Sequence, residues 1–90
     1  NENWIKPNID HYKNIKIFDS SISSIAFSPT SDILIVSSNN GDIKIIDAIN
    51  WKIRGEGKLG SSAITSICFT TNQTFITGLF TGEIGTWSIE

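Results

Sequence analysis

The sequence predicts an all-β chain, a β-propeller fragment of about two four-stranded antiparallel blades. Three observations predict it. The chain repeats itself: Ser21-Ile22-Ser23-Ser24-Ile25-Ala26-Phe27-Ser28 matches Ala63-Ile64-Thr65-Ser66-Ile67-Cys68-Phe69-Thr70, residue for residue in size and character, 42 positions later. Each unit holds three strand signals separated by turn signals. No window combines apolar residues at helical spacing with a cap and a stop. Four short strands recurring at roughly 40 to 45 residues is the period of a propeller blade. A single sandwich also has short, evenly spaced strands, but it does not require self-similarity at a fixed offset.

The elements follow in order. Asn14-Ile15-Lys16-Ile17-Phe18 alternates and ends just before the first repeat. It is expected to be the outer strand of a preceding blade, so residues 1–20 form a lead-in. Ile22 to Phe27 alternates as a strand and is stopped at Ser28-Pro29-Thr30-Ser31-Asp32, where proline ends the ladder. Ile33 to Ser37 is apolar on both faces, as a strand covered on both sides must be. Asn39-Asn40-Gly41 accepts the positive φ of a tight hairpin. Asp42 to Ile46 is the third strand, and Trp51 to Leu59, polar with two glycines, suits an outer edge. Residues 21–59 are thus expected to form a complete blade, and residues 60–90 a second blade lacking its outer strand. In that second unit Thr74 to Thr77 and Gly82 to Trp87 match the second and third strands at an offset of 41, one residue having been lost in a loop. Phe27 and Phe69 are expected to be buried between sheets, and Cys68, in the place of Ala26, to be a small packing residue.

The residues of these strands carry a family resemblance. Ile22-Ser23-Ser24-Ile25-Ala26-Phe27-Ser28-Pro29 resembles the first strand of a WD repeat. Gly41-Asp42-Ile43-Lys44-Ile45-Ile46-Asp47 resembles its third strand with Ile46 in place of tryptophan. Gly82-Glu83-Ile84-Gly85-Thr86-Trp87-Ser88 resembles the same strand with the tryptophan kept. The resemblance runs from about Asn14 to Ile89. It implies a WD40 propeller, and the chain departs from its pattern. The Gly-His before the first strand is replaced by Phe18-Asp19-Ser20 and Gly60-Ser61-Ser62, and the loop aspartate by Asn40 and Thr81. The family's His–Ser–Asp–Trp hydrogen-bond set therefore cannot form whole in either unit. Phe75-Ile76-Thr77-Gly78, with Gly82-Glu83-Ile84 and Trp87, is also similar to blades of the echinoderm microtubule-associated-protein-like family.

Composition narrows the function. The 90 residues carry a formal charge of −2, and the seven basic residues form no run, which argues against a nucleic-acid footprint. No stretch is apolar and long enough for a membrane span. The single cysteine excludes an internal disulfide, and the single histidine, His11, belongs to no zinc-type cluster. The chain opens Asn1-Glu2-Asn3-Trp4, with neither methionine nor a signal peptide, and is expected to be a segment of a longer, cytoplasmic protein.

Several motifs have a chemical reading and a plainer one. Gly55, Gly57 and Gly60 spell G-x-G-x-x-G, but a dinucleotide site needs a helix next, and Ser61 to Phe69 reads as a strand. A kinase-type glycine loop needs a downstream lysine, and none follows Lys58. The stretch is expected to be an edge strand and turn. His11 beside Asp10 reads as a surface pair, and Asn72-Gln73-Thr74 as a turn with the form of a glycosylation sequon. Trp87 reads as core. Asp32, Asp42, Asp47 and Glu83 are spread over turns and strand ends without calcium-loop spacing. No catalytic, cofactor or metal residue is assigned. The expectation is a non-catalytic scaffold, part of a larger propeller whose remaining blades and rim loops meet other proteins. The resemblance to the microtubule-associated family extends this to tubulin and a cytoskeletal location. The alternative is a propeller-fold enzyme whose catalytic residues lie largely outside this segment.

Overall fold

The computed structural model describes residues 14–89. Seven strands follow one another: β1 (Ile22–Phe27), β2 (Ile33–Ser38), β3 (Asp42–Asp47), β4 (Lys52–Lys58), β5 (Ile64–Phe69), β6 (Thr74–Leu79) and β7 (Ile84–Ser88). β1 to β4 form one antiparallel sheet in chain order, and β5 to β7 a second. β4 does not pair with β5, so the chain is not one continuous meander. The second sheet packs on the first.

The repeat seen in the sequence extends to the irregularities of the backbone. β1 is bulged between Ile22 and Ser24, and β5 between Ile64 and Ser66. Asn39 N–H donates to the Ser21 carbonyl at 3.1 Å, and Phe80 N–H to the Ala63 carbonyl at 3.0 Å. Ser28 N–H reaches Ile33 O at 2.8 Å, and Thr70 N–H reaches Thr74 O at 2.9 Å. Gly41 and Gly82 close the two hairpins with φ of 84° and 93°, a region an L side chain avoids.

Register assigns the faces, because residues paired across a ladder point to the same side. In the first sheet, Ile25, Phe27, Leu34, Val36 and Ile46 share a front face, and Ala26, Ile35, Ile43 and Ile45 share the back. In the second sheet, Ile67, Phe69, Phe75, Thr77 and Trp87 form the front, and Cys68, Ile76, Ile84 and Thr86 the back. The main core lies where the back of the first sheet meets the front of the second. Ile35, Ile43 and Phe75 are its buried centre, with Ile67, Phe69 and Trp87 packed around them. β2, apolar on both sides, is buried from Leu34 to Ser38, which fits a strand with a cluster on each face.

Two expectations about burial are corrected. Phe69 packs into the core, but Phe27 is 52% exposed. Its register is not slipped, since Phe27 pairs with Leu34 as Phe69 pairs with Phe75. The difference is the neighbour: among the described residues no sheet covers the front of β1–β4. Cys68 is exposed for the mirror-image reason, lying on the uncovered back of the second sheet. Asn14–Phe18 joins no ladder among the described residues, and the inner strands it was expected to accompany are not among them. Instead Ile17 and Phe18 rest on Leu34, Val36 and Ile46. Lys44 Nζ holds them there, donating to the Ile17 carbonyl at 2.8 Å and sitting 5.1 Å from the Phe18 ring centroid.

Candidate protein-docking surface

A blade offers a partner its two rims of turns and its uncovered faces. One rim carries the turns β1–β2, β3–β4 and β5–β6, and its side chains are held by short local bonds. Asp32 Oδ1 accepts from the Thr30 hydroxyl at 2.6 Å and the Ser28 hydroxyl at 2.9 Å, and Ser28 Oγ accepts from Ile33 N–H at 3.2 Å. The Thr30 bond first, then that of Ser28, lowers the Asp32 carboxyl below its ordinary value of 3.8. Asp47 caps the β3–β4 turn, accepting from Ile49 N–H at 2.8 Å and Asn50 N–H at 3.1 Å. The Asn50 and Ile49 amides lower its carboxyl likewise. In the β5–β6 turn the three threonines Thr70, Thr71 and Thr74 are linked through their hydroxyls, at 2.6 and 2.7 Å. Asn72 and Gln73 form the exposed tip of that turn, where a turn asparagine belongs. The rim is therefore polar, with its side chains tied into its own turns and Arg54 close enough to act on both carboxylates.

The opposite rim is built on backbone contacts. Leu59 N–H donates to Gly41 O at 2.8 Å. A Cβ on Gly41 would collide with the Gly60 carbonyl oxygen and come within 2.9 Å of the Ser62 carbonyl oxygen. Lys58 Nζ clamps this end, at 3.2 Å from Asp42 Oδ1 and 2.9 Å from Asn40 O. Phe80 projects here, 79% exposed.

The glycine motif lies where a strand and connector were expected. Gly55 and Gly57 are in β4 opposite Ile45 and Ile43, and Gly60 is in the connector to β5. No helix follows, so there is no phosphate cradle of the dinucleotide type. Trp87 is half-buried against the core, and its indole N–H donates to Thr77 Oγ1 at 2.9 Å. Among the described residues no group of three or more His, Cys, Asp or Glu side chains is placed to hold a metal ion. No helix among them is long and apolar enough to cross a membrane. His11 and Asp10 lie outside the described residues. What the sequence did not mark is the front groove of the first sheet. This apolar trough of about 360 Å³ is walled by Ile25, Leu34, Val36 and Ile46, with Ile15, Ile17, Ile22 and Trp51 at its margins.

Against known families, residues 12–72 match the anaphase-promoting complex subunit 4 WD40 domain. The chain belongs to this family. Among curated proteins nothing matches it. Solved structures give the same fold at low identity. The computationally designed Ika4 protein is 23% identical with a TM-score of 0.71, over 81% of this chain and 44% of that one. The β-propeller domain of Cps50 (Swd1) from Myceliophteria thermophila is 23% identical with a TM-score of 0.68, over 77% of this chain and 21% of that one. The designed Ika8 protein is 24% identical with a TM-score of 0.71, over 80% of this chain and 22% of that one. The chain thus spans less than half the length of each of these structures. The two sheets are blades of a WD40-type β-propeller. WD40 propellers are generally non-catalytic scaffolds that bind other proteins.

Proposed function

We propose that this segment is a docking scaffold within a larger propeller, serving a multisubunit complex. In this reading residues 21–59 are one blade, residues 60–90 belong to the next, and the lead-in connects to a blade before them. The observation that carries it is the family match over residues 12–72, whose description is that of a subunit of an assembly. The rims support it: turns held by Asp32 and Asp47 present a fixed surface that loses little conformational freedom when a partner docks. A cytoplasmic location accompanies the proposal, supported by the free thiol of Cys68. A cytoskeletal form of the reading, with tubulin as partner, rests on the resemblance of Phe75–Gly78 and Trp87 to microtubule-associated blades.

The experiment is purification of the protein through a tag at its native locus, followed by stoichiometric analysis of what accompanies it. Co-elution with subunits of an anaphase-promoting-type complex, unaffected by nocodazole, is the expected result. Co-sedimentation with purified microtubules and no complex would instead favour the cytoskeletal form. A protein that elutes with no stoichiometric partner contradicts the scaffold reading.

A further inference from the structure

The outer edge of β4 offers backbone groups that no described residue uses. Among the strands β4 approaches only β3, whereas β1 lies against β5, so the two sheets are close at their inner strands and part towards β4. Blades of a ring stack against the faces of a sheet, and the outer edge of each therefore stays open at any number of blades. Leu59 N–H donates to Gly41 O, and along an antiparallel ladder bonded pairs alternate with unbonded ones. Gly57 and Gly55 thus bond to Ile43 and Ile45. Glu56 and Lys58, opposite Lys44 and Asp42, aim their N–H and C=O groups outward.

The two glycines of β4 are a second observation. Neither Gly55 nor Gly57 has a positive φ. A Cβ would meet only Ile45 Cδ1 at Gly55 and only Ile43 Cγ2 at Gly57, each at an ordinary 3.8 Å. Neither backbone conformation nor crowding asks for glycine here, and glycine weakens a strand. Its effect is to leave room beside Ile43 and Ile45, on the back of the sheet, for a side chain reaching over from a neighbouring strand. Charge is the third observation. β4 carries Lys52, Arg54 and Lys58 against Glu56 alone. Lys58 is paired with Asp42, while Lys52 and Arg54 form no ion pair among the described residues. Such an edge repels a second copy of itself and attracts a segment of opposite charge.

We propose that the outer edge of β4 accepts an extended acidic segment of a partner protein as a fifth strand. The partner's backbone bonds to the outward groups of Glu56 and Lys58, and its branched or aromatic side chains lie over Gly55 and Gly57. The proposal rests on the docking-scaffold reading and adds to it where the partner sits and what kind of segment it presents.

The probe is a library of short random peptides selected against the full-length protein, with binding of the enriched peptides measured by calorimetry. The enriched sequences are expected to alternate branched or aromatic residues with Asp or Glu. Glu56→Pro removes an outward N–H and leaves the ladder to β3 intact, so it should weaken binding by roughly tenfold. Glu56→Gln should not, which separates the N–H from the charge. Gly57→Val fills the gap beside Ile43 and should weaken binding too, and it provides the reading if the proline variant fails to fold. Enriched peptides that are not acidic overturn the proposal, as does binding indifferent to Glu56→Pro and Gly57→Val. Native-locus purification of the Glu56→Pro protein separates the two readings. If every partner of the wild type is retained, the β4 edge is overturned and the scaffold stands. A wild type with no partner removes the scaffold reading, and this proposal with it.

Discussion

The Trp87 indole N–H donates to the Thr77 hydroxyl at 2.9 Å, diagonally across β7 and β6, while the corresponding pair in the first sheet is Ile46 and Val36. To reach Thr77 the indole lies back over Gly85, where an added Cβ would meet the ring at 2.7 Å. The first sheet has Lys44 at that position, paired opposite Val36. One blade thus joins its second and third strands by a hydrogen bond under a large ring, and the other by aliphatic packing. Thr77→Val should leave the indole N–H without its acceptor and cost about 1–3 kcal/mol. Gly85→Ala should displace the ring and cost about as much through overpacking. A double-mutant cycle of Thr77→Val with Trp87→Phe, read by urea denaturation, should show coupling; additive losses would mean the bond contributes nothing.

Gly41 and Gly82 are equivalent in sequence and φ but not in surroundings. A Cβ at Gly82 meets nothing within 4 Å, whereas one at Gly41 strikes the connector backbone. Gly82→Ala should therefore cost only the left-handed penalty, about 1–2 kcal/mol. Gly41→Ala should cost distinctly more, because backbone carbonyls cannot swing aside as a side chain would. Equal losses for the two variants in thermal melts would show that the Gly41–Gly60 approach is not a tight contact.

The two rim carboxylates set an acid dependence. Hydrogen bonds depress Asp32 and Asp47 in the folded state, the first through Thr30 and Ser28, the second through the Asn50 and Ile49 amides. A carboxyl lowered on folding stabilises the fold fully above its unfolded value, and that contribution is lost as the pH falls through the folded value. Both turns should therefore loosen below pH 3.8 and be insensitive to pH from 5 to 8. Carbon-detected titration of the two carboxyl groups tests this, and midpoints at or above the ordinary value would contradict it.

Burial separates aromatic residues that the repeat makes look alike. Phe75 is 4% exposed and central to the core, so Phe75→Ala should cost about 3–5 kcal/mol. Phe27 already leaves about half its surface in water, and its truncation in this chain should cost less than half as much. Chemical denaturation of the two variants side by side measures the ratio, and near-equal costs would indicate that Phe27 is covered in solution.

Strand existence, order and register were legible because the signals are local. Gly41 and Gly82 mark the hairpins, Pro29 marks the end of β1, and the alternation of Ile22 to Phe27 recurs in Ile64 to Phe69. Burial was less legible, because it depends on what lies beyond a face. Phe27 and Phe69 have the same neighbours in sequence and different neighbours in space. The lead-in shows the same limit: Ile15 and Ile17 alternate like a strand, yet a strand also needs a ladder, and the strands expected to supply it are not among the described residues. The role of Gly85 was not legible in the sequence. Its reason, room for the Trp87 ring, appears once the indole is seen lying across it.

The stop formed where Gly41 meets Gly60 and Ser62 has a mechanical consequence. At Gly41 the hairpin of one blade abuts the connector to the next through main-chain atoms. The tilt between these two blades is therefore limited at one end by peptide geometry, in addition to the side chains packed between the sheets. A ring accumulates its angular errors over every step, and at this step the index is set by backbone against backbone.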